Sequence, residues 1–127
     1  CVSKKYRRGG MQMLSAELLS FIVGNLIIKN MVDRLRPCQI DETVSLIVKI
    51  PFDSSFPSGH TLNGITAAVT LMFIDKRMGI PAIVLAVLIA FSRMYNFMHF
   101  PTDILAGAVL GVVSAVFVNF LFKRAGN

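Results

Sequence analysis

Apolar and polar positions alternate along the chain in long blocks. Four apolar runs, residues 11–28, 61–74, 80–91 and 104–122, are separated by short polar stretches. The first and last are 18 and 19 residues long, close to the roughly 20 residues that cross a bilayer core of about 30 Å. The middle two, at 14 and 12 residues, are short for spans. Extended into its polar flanks, over 58–75, the second reaches about 27 Å at 1.5 Å per residue. The pattern predicts an all-α integral membrane helix bundle with about four transmembrane helices, forming one domain over residues 1–127. Residues 37–57 are expected to form an extracytoplasmic loop, in which "SLIVKI" reads as a short strand or as a lip dipping into the membrane surface.

Composition supports the membrane reading. A 54% hydrophobic content and a mean hydropathy of +0.66 lie outside ordinary soluble composition. There is no Trp, so interfacial anchoring falls to Tyr, Lys and Arg. The formal charge of +6 is split into small clusters between apolar runs rather than gathered on one polar face, which argues against nucleic acid as a partner. Cys1 and Cys38 offer neither metal spacing nor a disulfide framework, and the four-span path puts them on opposite sides of the membrane. No signal peptide is recognisable.

Loop charges orient the bundle. Lys4, Lys5, Arg7 and Arg8, then Lys76 and Arg77, then Lys123 and Arg124 fall on one side, which the positive-inside rule makes cytoplasmic. Both histidines of the chain, His60 and His99, fall on the other side, together with Lys29, Arg34, Arg36 and Arg93. Cations at helix ends that run against the topological trend are candidates for function.

Three clusters on that face carry possible chemistry. In "KNMVDRLRP", Lys29 and Arg36 are seven residues apart, close to two helical turns, so both can point the same way, and Pro37 ends the helix. Taken alone, this is an ordinary basic helix end. In "PSGH", a helix start offers backbone N–H groups to an anion, Ser58 adds a hydroxyl, and Gly59 admits a ligand close to the backbone. Alone, it is an N-cap with His60 incidental. In "SRMYNFMHFPTD", Asp103 follows His99 by four residues around a helix start with Pro101 and the N-cap candidate Thr102 between them. A carboxylate so placed can fix the tautomer of a nucleophilic imidazole. Alone, Asp103 decorates a helix N-terminus. Together, the clusters assemble what phosphoryl transfer needs: cations for the nonbridging oxygens, an in-line nucleophile and an acid for the leaving group.

In this order the three segments match K-x6-R-P, P-S-G-H and S-R-x5-H-x3-D, and so resemble the signature of the type 2 phosphatidic acid phosphatase superfamily. These lipid phosphate phosphatases share their site with vanadium haloperoxidases. The resemblance runs from Lys29 to Asp103. It implies that His99 is the nucleophile forming a phosphohistidine, that Asp103 orients it and that His60 is the general acid. Lys29, Arg36, Arg93, Ser58 and the Gly59 N–H would hold the phosphate, with no metal or other cofactor. The implied substrate is a lipid phosphomonoester or diphosphate, of the undecaprenyl diphosphate, phosphatidate or phosphatidylglycerol phosphate class, met at the outer face of the inner (plasma) membrane. Membrane members of the family commonly have six spans against the four runs here, so either two N-terminal spans precede this stretch or it is a minimal form. A lipid phosphotransferase, or a noncatalytic protein binding anionic lipid headgroups, would use the same cations.

Other polar and small residues suggest packing. Glu17, a carboxylate within the first run, reads either as a proton or substrate residue or, near the cytoplasmic end, as a partner of the basic cluster or a residue facing the bundle. Asn25 and Asn63 can bond between helices. Gly107 and Gly111, four apart, permit close helix contact, either within the bundle or in a homo-oligomer. Seven methionines suit adaptable packing.

Overall fold

The computed structural model describes residues 4–41 and 53–125. Cys1 and the "SLIVKI" stretch lie outside the described residues, as does much of the expected 37–57 loop. Helix α1 (Lys4–Ser20) runs on through a π-helical stretch, Phe21–Ile28, into the single turn α2 (Lys29–Val32). A second short turn, α3 (Pro37–Ile40), precedes three long helices, α4 (Gly59–Ile74), α5 (Lys76–Tyr95) and α6 (Pro101–Arg124). No strand occurs among the described residues.

The segments Tyr6–Ile40, Lys76–Tyr95 and Pro101–Arg124, of 35, 20 and 24 residues, are long and apolar enough to cross a membrane. Helix α4 has only 16 residues. Its position explains why that suffices: α4 is the central helix, packed against α1, α5 and α6, and Leu62, Thr66, Ala68 and Thr70 along it are fully buried. A helix shielded by its neighbours faces protein rather than lipid, so it accommodates polar threonines, although the buried Thr70 hydroxyl finds no hydrogen-bond partner among the described residues. Thr66 Oγ1 donates to Leu62 O at 2.8 Å. The flanking helices instead turn large apolar side chains outward, among them Leu14 on α1, Leu88 on α5 and Leu105 on α6.

Close approach of α4 and α6 depends on small residues. A Cβ at Gly107 would lie 2.8 Å from Ser58 O, and one at Gly111 would lie 2.7 Å from Leu62 O. Of the two placements the small-residue spacing allowed, the structure therefore shows the one within the bundle. The helix ends sort as the loop charges predicted. Gly9 packs on Ile74, and the Arg8 guanidinium donates to Phe122 O, so the start of α1, the α4–α5 turn and the end of α6 share one end. That turn is capped by Asp75, whose Oδ1 accepts from Arg77 N at 3.0 Å. The other end gathers Lys29, Gly59, Arg93 and Asp103.

Gly111→Ala should cost about 1–3 kcal/mol of stability, as overpacking does. Gly10→Ala, whose added Cβ meets nothing within 4 Å, should be neutral or gain about 0.5–1 kcal/mol in its helix. Thermal unfolding in detergent compares the two, and equal midpoints would contradict the α4–α6 contact.

Candidate active site

Three connections meet at the second end of the bundle and are stitched by backbone hydrogen bonds. The first helical path ends at Asp33, in the left-handed region with φ 40°. Beyond it, Arg34 O accepts from Ser55 N at 2.8 Å and Arg34 N donates to Ser54 Oγ at 2.9 Å. Helix α5 closes with Met98 N donating to Arg93 O at 3.1 Å, around Phe97 at φ 55°. A left-handed conformation costs a bulky residue about 1–2 kcal/mol, and here the Phe97 carbonyl is tied down by Cys38 N at 3.1 Å. Ser58 N donates to Asp103 O at 3.1 Å, joining the start of α4 to the start of α6.

Arg36 fills the space between these connections and is only 2% exposed. Its Nη1 donates to Met98 O at 2.9 Å and lies 3.3 Å from His99 Nε2. Nε donates to Asp53 O at 3.2 Å, and Nη2 to Asp53 Oδ1 at 2.7 Å. Lys29 Nζ meets the other carboxylate oxygen of Asp53, Oδ2, at 2.5 Å. The two cations do converge, but not by helical periodicity: the helix stops at Val32, Arg36 sits in extended conformation at the N-cap of α3, and Pro37 opens that turn rather than ending the first helix. Burial alone would raise the Asp53 pKa, but hydrogen bonds and charge from Lys29 and Arg36 outweigh it and hold the carboxyl below its usual range.

His99 is buried beside Arg36. Its Nδ1 is 2.7 Å from Ser55 O, an acceptor only, so Nδ1 carries the proton and Nε2 keeps its lone pair toward Arg36. Asp103 Oδ2 stands 3.9 Å from Nδ1, beyond hydrogen-bonding distance. The carboxylate is instead satisfied by three other donors: Arg34 Nη1 on Oδ1 at 2.8 Å, and Ser55 Oγ at 2.5 Å and Phe100 N at 2.9 Å on Oδ2. Asp103 thus reaches His99 through Ser55, whose hydroxyl it grips and whose carbonyl holds the ring. The helix begins two residues earlier than expected, with Phe100 at the N-cap and Pro101 first inside. Thr102 does not cap it, and its hydroxyl accepts from Arg34 at 2.8 Å.

A cavity of about 820 Å³ adjoins this network, lined by Lys29, Arg36, Asp53, Gly59, His60, Arg93 and His99 together with apolar Phe21, Leu26 and Ile89. His60 projects there from the first turn of α4. Arg93 reaches it from the last turn of α5, with its Nε buried and lacking a hydrogen-bond partner. A Cβ on Gly59 would lie 3.0 Å from Asn25 Oδ1 and 3.9 Å from Lys29 Nζ, so a side chain here would press on Asn25 and come into contact with the cation. Ser58 is not on the cavity wall: it is fully buried at the N-cap of α4, and its hydroxyl accepts from Thr61 at 3.1 Å. Sequence reasoning gave no role to Asp53, Ser55 or Asn25 at this site. The available signal was their position, two of them just ahead of "PSGH" and one a turn before Lys29.

A helical membrane bundle with paired cations, two histidines and a carboxylate-anchored loop around one cavity defines a class of site suited to phosphoryl groups. The comparisons make the class specific. The PAP2 superfamily model matches residues 9–126, and the chain belongs to that family. The undecaprenyl-diphosphatase of Sulfolobus acidocaldarius is 35% identical over 111 residues, which make up 87% of this chain and 53% of the relative. Phosphatidylglycerophosphatase B of Bacillus subtilis is 32% identical over 100 residues, 70% of this chain and 46% of the relative. The crystal structure of a transmembrane PAP2 type phosphatidylglycerolphosphate phosphatase from Bacillus subtilis superposes with a TM-score of 0.75 at 28% identity, covering 91% of this chain and 59% of that one. The chain spans about half the length of the relatives it matches.

Burial, then the charge of Arg36, pushes the His99 pKa down from 6.5 to about 4, against the pull of the Ser55 carbonyl and Asp103. Both leading causes disfavour the imidazolium, so the ring stays neutral as pH falls through 6.5 and gains its proton only near 4. The unfolded chain binds that proton first, so this group's share of stability, complete above pH 6.5, is lost as pH falls toward 4. Because the chain has two histidines, His60→Gln leaves a single imidazole for ¹⁵N NMR. A midpoint near 4 is expected, and one near 6.5 would contradict the buried placement of His99.

Proposed function

We propose that this chain is the catalytic part of a membrane phosphatase that hydrolyses a lipid phosphomonoester or lipid diphosphate, of the undecaprenyl diphosphate, phosphatidate or phosphatidylglycerol phosphate class. The observation that carries this reading is the convergence of Lys29, Arg36 and Arg93 with two histidines on one cavity, beside a neutral His99 whose Nε2 lone pair is free of a proton. The active site faces the extracytoplasmic side of the inner membrane, because the opposite end holds the basic clusters that the positive-inside rule assigns to the cytoplasm.

In the proposed reaction the three cations and the Gly59 N–H bind the nonbridging oxygens, and His99 Nε2 attacks phosphorus in line. The Nε2–P bond forms as the P–O bond to the lipid breaks, and the leaving oxygen takes a proton from His60. The Ser55 carbonyl, with the Asp103 carboxylate behind it, stabilises the positive charge that develops on the ring. Water activated by His60 then attacks the phosphohistidine, which returns neutral His99 and free phosphate. Ser58 shapes the helix start that presents Gly59 and His60. The positive charge in this scheme comes from side chains of the chain itself, so hydrolysis should proceed in the presence of a chelator.

Phosphate release from the three lipid classes, with chelator present, tests the proposal. His99→Ala should reduce release to background for every substrate. His60→Asn should lose about a hundredfold to ten-thousandfold on lipid substrates, as general acids typically contribute, but far less on p-nitrophenyl phosphate, whose phenolate leaves without help. Turnover by His99→Ala equal to wild type would sink the proposal.

A further inference from the structure

The phosphate-binding cations already hold an anion of the protein itself. Asp53 Oδ2 lies 2.5 Å from Lys29 Nζ and its Oδ1 lies 2.7 Å from Arg36 Nη2. Two carboxylate oxygens shared between an ammonium and a guanidinium present the same contacts as two nonbridging oxygens of a phosphoryl group. The remaining donors of Arg36 point to fixed partners, Nη1 to Met98 O and His99 Nε2, and Nε to Asp53 O. Its Nη2 is therefore the donor left for a ligand, and Asp53 has its shortest contact with it; the Ser54 carbonyl lies farther off at 3.4 Å. A phosphoryl group cannot take these two contacts while that carboxylate holds them.

Which party yields is decided by burial. The Asp53 side chain is 51% exposed, against 11% for Lys29 and 2% for Arg36. It sits outside any helix, so rotating it toward solvent disturbs no packed element. Asp103, the carboxylate beside His99, is fully buried and committed to Arg34, Ser55 and the backbone.

We propose that Asp53 is a built-in competitor for the phosphoryl subsite, exchanging with the phosphate of substrate on entry and returning to the cations to expel free phosphate after hydrolysis. The inference rests on the phosphatase reading above. Inorganic phosphate offers a cradle of cations the same nonbridging oxygens as a phosphate ester, so product competes with substrate there and a returning anion would speed its release. An internal competitor weakens substrate and product together, by the fraction of time it leaves the cations free.

The test is competitive inhibition by inorganic phosphate, measured on the full chain in detergent for wild type, Asp53→Asn, Asp53→Glu and Asp33→Asn. Asp33 lines the same cavity, so its neutralisation reports the plain effect of removing a negative charge nearby. The Ki for phosphate and the KM for lipid should both fall in Asp53→Asn, by roughly fivefold to tenfold, as losing two partly exposed ion pairs implies. Asp53→Glu should stay near wild type, and Asp33→Asn should shift much less than Asp53→Asn. An unchanged or raised Ki in Asp53→Asn overturns the proposal, as does an equal shift in Asp33→Asn. Should Asp53→Asn lose turnover, the phosphate-induced rise in unfolding temperature replaces the kinetic readout: a rise at lower phosphate concentration than in wild type supports competition, and a rise only at the same or higher concentration refutes it. Failure of wild type to release phosphate from any lipid would instead bring down the phosphatase reading and this inference with it. Release with an unaltered Ki in Asp53→Asn brings down this inference alone.

Discussion

A guanidinium buried to 2% exposure sets the terms for the rest of the site. An unpaired charge in that position would cost several kcal/mol, so the fold must bring acceptors to Arg36 from every side. It does so with Met98 O, Asp53 O and the Asp53 carboxylate, which belong to connections far apart in sequence. Each acceptor is delivered by a loop, and each loop is fixed by a backbone bond to another, Ser55 to Arg34, Cys38 to Phe97 and Ser58 to Asp103. Lysine could not replace this arginine: one ammonium has three donors on a single atom and cannot span partners along the edge of a plane.

The same cation makes demands on His99, the proposed nucleophile. Arg36 lies 3.3 Å from His99 Nε2, where it disfavours the imidazolium and helps keep the lone pair available. In the proposed reaction the phosphohistidine forms at this nitrogen, beside the charge that neutralises the phosphoryl oxygens. Positive charge then grows on the ring, and the balancing negative ends lie on the opposite nitrogen, where Ser55 O accepts at 2.7 Å. Asp103 contributes from 3.9 Å and does more as an anchor, since it ties Arg34, Ser55 and the first turn of α6 to one point. Arg34 adds to that anchor by stacking its guanidinium over the Phe100 ring, 4.1 Å from the centroid.

How far the sequence disclosed this arrangement depended on the range of each interaction. Helix existence and order were legible because apolar runs act locally, and the opposed ends were legible because loop charge follows topology. That α4 is short and central was not, since 14 apolar residues read alike whether surrounded by lipid or by helices. Lys29, Arg36, His60, Arg93, His99 and Asp103 could be singled out because their spacings and their charge against the topological trend mark them. Asp53 and Ser55 could not, because an acid and a serine in a polar loop carry no periodic or topological mark. Their roles arise from where two other loops happen to end. Asp103 and His99 do meet around the helix start, at 3.9 Å, but form no direct hydrogen bond: four residues across a helix start fix neighbourhood, and a competing hydroxyl from Ser55 takes the last ångström.

Lys29 shows how a correct conclusion can rest on a different cause. Seven residues separate it from Arg36, and an unbroken α-helix would have aligned them, yet the helix ends between them at Asp33. Lys29 follows directly on the π-helical stretch Phe21–Ile28, its N–H bonded to Gly24 O. Residues four apart on a helix share a face, so Asn25 and Lys29 point the same way. Both come to Gly59 at the start of α4, with Asn25 Oδ1 and Lys29 Nζ 3.0 and 3.9 Å from where its Cβ would stand. The end of the first helix thus holds the ammonium against the helix start that presents His60, while Arg36 approaches the same point from beyond the break. A rigid α-helix would have tied the two cations to one axis. Separating them lets one be fixed by the first helix and the other by the loops, and the carboxylate of Asp53 spans the gap between the two.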